Sequence, residues 1–126
     1  MNIIVAGSRT ITDYDFVKRH LDRLTRKLDL TPYKSKVVVF SGGTKGVDWL
    51  GEWWAYERRL TYRIFNVEWS KDGEKARAIR NAKMFKEANS LVAFWDGADS
   101  DTKELIQQSK KAGLQVRVIL WNIKNR

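Results

Sequence analysis

Residues 36–48 have the sequence Lys36-Val37-Val38-Val39-Phe40-Ser41-Gly42-Gly43-Thr44-Lys45-Gly46-Val47-Asp48. The run 36–40 is mainly apolar and β-branched, which predicts a buried strand. Three glycines follow within five positions, and residues 46–59 then have the composition and spacing of a helix. A strand, a tight glycine-rich turn and a helix in this order are typical of α/β folds with parallel sheets.

The same alternation extends over the rest of the chain. Further strands are predicted at residues 2–6, 61–67, 90–95 and 115–121. Further helices are predicted at residues 13–29, 76–88 and 102–112, the last closed by Gly113, and residues 68–75 are predicted to form a polar loop. Strands and helices that alternate through short connections indicate parallel pairing by right-handed crossovers.

Strand composition predicts the strand order. The first, second and fourth strands are almost purely apolar, as expected where helices cover both faces of a sheet. Arg63 and Asn66 interrupt the third strand and Arg117 the fifth, which places these two strands at the edges. We therefore expect an α/β fold: a Rossmann-like, doubly wound, parallel five-stranded sheet of order 3-2-1-4-5 with helices on both faces. In such sheets ligands bind where the strand order reverses, beyond the carboxyl ends of the strands.

The amino-acid composition excludes several kinds of functional site. A chain of 126 residues that is 43% hydrophobic fits one domain, taken as residues 1–121, with 122–126 as a short basic tail. The chain has no cysteine and one histidine, His20, which we expect on a solvated helix face. Disulfides, thiolate chemistry and Cys-ligated zinc are excluded, and a His-based metal site or a Ser-His-Asp triad is disfavoured. We therefore expect no metal and no cofactor. The apolar run of residues 3–6 is too short for a signal peptide or a membrane span, so we expect a cytoplasmic protein.

The net charge of +9, from 24 basic and 15 acidic residues, leaves two interpretations open. It favours anionic partners such as nucleotides or nucleic acid, or it serves solubility alone. Trp49, Trp53 and Trp54 on the second helix are interpreted as core or as a subunit interface, which allows a homo-oligomer.

Polar segments follow three strands that the predicted order places side by side. They are Gly7-Ser8-Arg9-Thr10, Ser41-Gly42-Gly43-Thr44-Lys45-Gly46-Val47-Asp48 and Asp96-Gly97-Ala98-Asp99-Ser100-Asp101-Thr102. The topology brings all three to one crevice, with Arg80-Asn81 overhanging it. The second segment is the main candidate for a phosphate site, because its glycines let amide groups approach an anion, a helix N-terminus follows and Lys45 adds charge. It is not a P-loop, and a tight strand–helix turn is the alternative explanation of two of its glycines.

The other predicted contacts each have a structural alternative. Ser8 and Arg9 are expected to hold phosphate, although Arg9 also fits a surface position beside a helix cap. Asp48 either accepts from a ribose hydroxyl or interacts with the helix dipole. Trp95 either stacks on a base or packs in the core. Asp101, three residues before Glu104, is expected to cap the last helix and so to occupy the donors that a phosphate would use.

The predicted site therefore combines ligand-binding residues with candidate catalytic groups. The ligand- and phosphate-binding residues are Gly7, Ser8, Arg9, Ser41, Gly42, Gly43, Thr44, Lys45, Gly46, Asp48, Arg80, Asn81, Trp95, Asp96, Gly97 and Thr102. The candidate catalytic residues are Arg80, Asp48, Asp96 and Glu104.

Four motifs together resemble a known family. They are Val5-Ala6-Gly7-Ser8-Arg9-Thr10, Ser41 to Asp48, Arg80-Asn81-Ala82-Lys83-Met84 and Phe94-Trp95-Asp96-Gly97. Over roughly residues 2–120 the chain is similar to the YspA/cpYpsA-related family of the SLOG superfamily, which includes the Lonely Guy phosphoribohydrolases and the DNA-processing protein A group. The resemblance implies a Rossmann-like fold and a nucleotide-derived ligand, but no particular reaction.

Departures from the family pattern bear on catalysis. Arg77-Ala78 stands where relatives usually have Gly-Pro, and Asp101-Thr102 where they usually have Gly-Thr. Arg80 matches an arginine of the Lonely Guy enzymes, but the position of their glutamate falls at Leu105, and Glu104 is about 100° away around a helix. Hydrolysis needs a carboxylate in place.

Three alternative functions are considered, in decreasing order of support from the sequence. The first is binding of a nucleotide or an ADP-ribose-like molecule without turnover, as a sensor or sequestering module. The second is an N-glycosidic or phosphoribosyl hydrolase. The third is weak, salt-dependent binding of single-stranded nucleic acid.

Overall fold

The computed structural model describes residues 1–121 and contains one parallel sheet. Its strands, in the order β3-β2-β1-β4-β5, are β1 (Asn2–Gly7), β2 (Val38–Ser41), β3 (Thr61–Ile64), β4 (Ser90–Trp95) and β5 (Gln115–Leu120). The predicted fold class and strand order are confirmed. The predicted tail, 122–126, lies outside the described residues.

Helices cover both faces of the sheet, as predicted. They are α1 (Tyr14–Leu24), α2 (Val47–Glu57), a short α3 (Trp69–Asp72), α4 (Ala76–Glu87) and α5 (Ser100–Lys111). Alternate residues of β1 divide between two hydrophobic clusters: Ile3 and Val5 pack with residues of α1 and α2, whereas Ile4 and Ala6 pack with residues of α4 and α5. Within residues 1–121 no helix is long and apolar enough to cross a bilayer.

The first helix ends earlier than its apolar spacing predicts. Asp13 caps it by accepting from the Phe16 amide at 3.1 Å, and Thr25 ends it with its hydroxyl on the Leu21 carbonyl at 2.7 Å. The chain then continues in a tighter turn, in which the Leu28 amide bonds to the Thr25 carbonyl at 2.9 Å. This turn keeps Leu28 packed against the core, so the apolar spacing continues after the helix has ended.

The edge strands and the predicted loop also differ from expectation. β3 covers only 61–64, and all four of its residues are exposed, as expected of an edge. The segment 68–75 is not an irregular loop, since it forms α3 and a 3₁₀ turn at 73–75.

Aromatic residues of α1 and α2 divide between core and surface. Trp54 is buried, and its Nε1 donates to Asp22 at 2.9 Å, whereas Trp49 and Trp53 are each 51% exposed. The core interpretation is therefore right for Trp54 and wrong for the other two, whose place in a subunit interface stays a prediction. His20 is half-buried edge-on to Phe16, with ring centroids 4.7 Å apart, so its expected solvated position is wrong.

Candidate functional site

The loops after β1, β2 and β4 meet α4 and α5 in one crevice at the carboxyl edge of the sheet. Its inner lobe has a cavity volume of about 50 Å³ and is lined by Ala6, Gly7, Arg9, Thr44, Asp48, Arg77, Arg80, Asn81, Asp99, Asp101, Thr102 and Leu105. An adjoining outer lobe with a cavity volume of about 210 Å³ is lined by Arg9, Gly42, Gly43, Thr44, Asn66, Val67, Trp69, Arg77 and Arg80. Four residues line both lobes and form what we call the shared wall: Arg9, Thr44, Arg77 and Arg80.

Arg80 is the most firmly held residue of the shared wall. It is buried on α4, its Nη1 donates to the Gly42 carbonyl at 2.8 Å, and its Nε donates to Asn81 Oδ1 at 2.7 Å. A Cβ at position 42 would lie only 2.4 Å from Arg80 Nη1, so a side chain there would force the guanidinium to shift from this position. Burial lowers the pKa of Arg80 and Asp48 acts in the opposite direction, but a guanidinium keeps its charge at neutral pH.

Asp48 is a buried carboxyl group in the inner lobe. It is only 4% exposed, and its Oδ2 accepts from the Thr44 hydroxyl at 2.6 Å and from the Thr44 amide at 3.2 Å. Burial raises the pKa of Asp48 to about 6, although the Thr44 hydrogen bonds and the Arg80 charge oppose the rise. Such a group changes its protonation near neutral pH and can hold or move a proton.

The glycine-rich loop uses several of its own polar groups internally. The Gly43 amide donates to Ser41 Oγ at 3.0 Å, and the Thr44 amide is bound to Asp48. Ser41 is buried, and its hydroxyl donates a hydrogen bond to the Glu52 carboxylate. Lys45 is exposed and lines neither lobe. The tight turn has therefore already satisfied the amides of residues 43 and 44, and binding of phosphate by this loop and Lys45 stays a prediction.

Two other predicted site residues, Ser8 and Asp96, join the loop after β1 to the loop after β4. Ser8 is fully buried, and its Oγ accepts from the Asp96 amide at 3.1 Å. Asp96 accepts from the Ala98 and Asp99 amides, each at 2.8 Å, and from the Thr10 hydroxyl at 2.8 Å. Burial acts to raise the pKa of Asp96, but these hydrogen bonds outweigh it and leave the pKa below its usual value. Neither Ser8 nor Asp96 lines the two lobes.

The cap of α5 is Asp99 and not Asp101. The helix begins at Ser100, and Asp99 accepts from the Asp101 amide at 3.2 Å and from the Thr102 hydroxyl at 2.6 Å. Asp101 lies in the first turn and forms an ion pair of 3.1 Å with Arg77. A carboxylate therefore still occupies N-terminal donors of this helix that a phosphate would use, as expected, but it belongs to Asp99.

The remaining predicted residues divide as follows. Gly7, Arg9, Asn81 and Thr102 line the inner lobe, and Gly42 and Gly43 the outer lobe. Trp95 packs against the core, and its Nε1 donates to the Asp99 carbonyl at 3.0 Å. Glu104 is exposed and accepts a hydrogen bond from Gln108 at 2.9 Å. The remaining two, Gly46 and Gly97, are turn glycines that line neither lobe. Of the candidate catalytic residues, only Asp48 and Arg80 reach the crevice.

Sequence reasoning missed several residues of the crevice. Arg77, Asp99, Asn66 and Trp69 line it, and so does Leu105. Arg77 had a usable signal, because it precedes Arg80 by three residues and so shares its helix face. No group of three or more His, Asp or Glu residues within 1–121 is arranged to hold a metal ion.

Comparison with known proteins identifies the family of this chain. A model of the YspA, cpYpsA-related SLOG family matches residues 1–71, which contain the first two loops of the crevice. The chain belongs to this family. A relative, the Gene 61 protein of Mycobacterium phage D29, is 30% identical over 120 residues, which cover 90% of this chain and 92% of that protein. No solved structure matches the chain. The YspA, cpYpsA-related match agrees with the family resemblance seen in the sequence motifs.

Proposed function

We propose that the protein binds a nucleotide-derived, phosphate-bearing ligand in the crevice and acts as a sensor or sequestering module. The observation that carries the proposal is the convergence of Arg9 with Arg77 and Arg80 on the shared wall. Guanidinium groups bind phosphate oxygens through paired charge-assisted hydrogen bonds. Membership of a SLOG family points to nucleotide-related ligands as well.

The acidic side of the inner lobe supports a ligand that carries hydroxyl groups beside its phosphate. Asp48, Asp99 and Asp101 line this lobe together with the arginines. Carboxylates repel a bare phosphate but accept hydrogen bonds from sugar hydroxyls. The mixture of charges therefore favours a sugar phosphate over a simple anion.

Native mass spectrometry of freshly purified protein is the direct test of this proposal, followed by calorimetry with nucleoside monophosphates, ADP-ribose and NAD. A bound mass that matches a nucleotide-type compound, or binding of one member of the panel, is the expected result. Protein that carries no such compound and binds no member of the panel contradicts the proposal.

Arg9 offers the clearest single-residue test. It is exposed, so Arg9→Ala should leave the fold intact while it removes a charged phosphate donor. A hydrogen bond to a charged group contributes about 1.5–3 kcal/mol, so affinity for a nucleoside monophosphate should fall about tenfold or more. Calorimetry checks this, with Arg26→Ala as the control, because Arg26 is an exposed arginine that lies just after α1 and lines neither lobe. Equal affinities of the two variants would remove Arg9 from the site.

Hydrolysis of an N-glycosidic or phosphoribosyl bond is the second candidate, and the position of Asp48 favours it. A carboxyl group that is buried against the crevice and changes protonation near neutral pH is suited to general acid–base catalysis. The position that carries glutamate in the Lonely Guy enzymes is occupied by Leu105, which cannot supply that chemistry. Binding without turnover therefore remains the leading proposal.

The two candidates are separated by incubating the protein with the same panel and following free base and ribose phosphate by chromatography. Binding with no product supports the sensor or sequestering function. Release that is lost in both Arg80→Lys and Asp48→Asn makes the protein a hydrolase.

A further inference from the structure

The outer lobe differs from the inner lobe in the chemistry of its lining. Beyond the shared wall, the inner lobe is lined mainly by carboxylates, amides and hydroxyls, whereas the outer lobe adds Trp69, Val67 and Asn66. An indole beside a charged wall offers a flat apolar surface next to the place proposed for phosphate. The two lobes therefore fit different parts of one ligand.

Trp69 is fixed with respect to the shared wall and yet accessible. The guanidinium carbon of Arg77 lies over the indole, 5.4 Å from its centroid, and Arg77 is itself held by Asp101 at 3.1 Å. Even so, Trp69 is 53% exposed. The ring is thus oriented by a cation–π contact on one side and leaves surface for a second stacking partner.

Asn66 adds a polar group to the same lobe. Its side-chain Oδ1 lies 2.8 Å from the position that a Cβ of Gly43 would take, so the missing side chain at 43 leaves room for the amide. Asn66 is exposed, and its side chain makes no hydrogen bond to another protein group within residues 1–121. An amide with a free donor and a free acceptor suits the edge of a heterocyclic base.

We propose that the outer lobe is the subsite for the heterocyclic base of the ligand, which stacks on Trp69 and hydrogen-bonds to Asn66. The phosphate then binds at the shared wall, and the sugar hydroxyls face the carboxylates of the inner lobe. This assignment rests on the proposed binding of a nucleotide-derived ligand and specifies that the base itself is recognised. Stacking on an aromatic ring tolerates different bases, so the subsite selects for a planar ring more than for one base.

The assignment is tested by comparing adenosine 5′-monophosphate with ribose 5-phosphate, which lacks the base, in calorimetric titrations of the purified protein. Stacking of one base contributes about 1–3 kcal/mol, so wild type should bind the nucleotide about 5- to 150-fold more tightly than ribose 5-phosphate. Trp69→Ala should abolish that ratio, and Trp69→Phe, which keeps a ring, should retain most of it. Trp53→Ala removes an equally exposed indole from α2, outside both lobes, and should leave the ratio unchanged.

The ribose 5-phosphate titration separates failure of this inference from failure of the proposed function. Equal affinity of wild type for the two compounds overturns the base subsite and leaves the phosphate site standing. A Trp69→Ala variant that weakens both compounds equally shows that Trp69 acts only through Arg77, which also overturns the base subsite. Binding of neither compound overturns the proposed function together with this inference.

Discussion

Replacing Gly46 with alanine is expected to destabilise the protein by about 3 kcal/mol or more. Gly46 has a φ of 85°, which L side chains rarely adopt. A Cβ there would lie 2.7 Å from Arg9 Cα, 2.8 Å from the Ser8 carbonyl oxygen and 3.0 Å from the Arg9 carbonyl oxygen. All three atoms belong to backbone, which cannot move aside as a flexible side chain can. The substitution therefore combines backbone strain with displacement of the first loop.

Gly113→Ala is a matched control for this substitution. Gly113 has a φ of 86°, but a Cβ there meets no heavy atom within 4 Å. The Gly113→Ala variant should lose only about 1 kcal/mol of unfolding free energy, which is the cost of holding alanine in the left-handed conformation. Urea unfolding of both variants therefore isolates the contact between the loops after β1 and β2. Equal losses of unfolding free energy would show that the two loops are not packed as described.

A consequence for binding follows from the same contact. Arg9 belongs to the loop on which Gly46 packs, so its position on the shared wall depends on that packing. A folded fraction of Gly46→Ala should bind nucleotide more weakly than Gly113→Ala at the same temperature.

The sheet and the location of the crevice were predictable from sequence because they depend on coarse properties. Arg63 and Arg117 marked the edge strands, and both strands lie at the edges of the sheet. Once the strand order is known, the loops after β1, β2 and β4 must meet, since parallel strands end at one edge of the sheet.

The hydrogen-bond partners within the crevice were not predictable in this way. The sequence shows that Ser8 and Asp96 reach the same edge, but the partner of each depends on how two loops approach within a few ångströms. In the structure they bind one another's loops. Trp69 lay in a segment without periodicity, and only the formation of α3 brings it to the outer lobe.

The cap of α5 illustrates how a small error in a helix boundary changes a role. Asp99 and Asp101 both precede or begin the helix, and both have the short carboxylate that caps prefer. The helix starts at Ser100, two residues earlier than predicted, so the cap moves to Asp99. Asp101 is thereby released to pair with Arg77, which holds a residue of the shared wall in place.

Replacing Asp48 with asparagine is expected to stabilise the protein at pH 7.5 by about 3 kcal/mol and to leave its stability unchanged near pH 4. Burial raises the pKa of Asp48 from 3.8 to about 6, and this difference corresponds to about 3 kcal/mol. Because the folded pKa is the higher one, the folded state favours the neutral carboxyl. Wild-type stability relative to Asp48→Asn should therefore fall as the pH rises from about 4 to about 6 and stay constant above that window.

Urea unfolding of wild type and Asp48→Asn across this pH range measures the difference. Asparagine can still accept from Thr44, so the local hydrogen bonds at 2.6 Å and 3.2 Å have a replacement acceptor. Asp15→Asn, at an exposed position of α1, removes the same charge without changing a buried group and serves as the control. A difference between wild type and Asp48→Asn that does not vary with pH would show that this carboxyl titrates normally.

The same variant decides what the carboxyl is for. A buried charge that destabilises its own fold at neutral pH is typical of residues that are kept for binding or catalysis. If Asp48→Asn is more stable and binds nucleotide more weakly, the carboxylate contacts the ligand. If it binds normally but loses product release, Asp48 supplies the proton step of a hydrolase. If it is more stable, binds normally and releases the same product or none, Asp48 has no part in ligand chemistry, and the hydrolase candidate loses the observation that favours it.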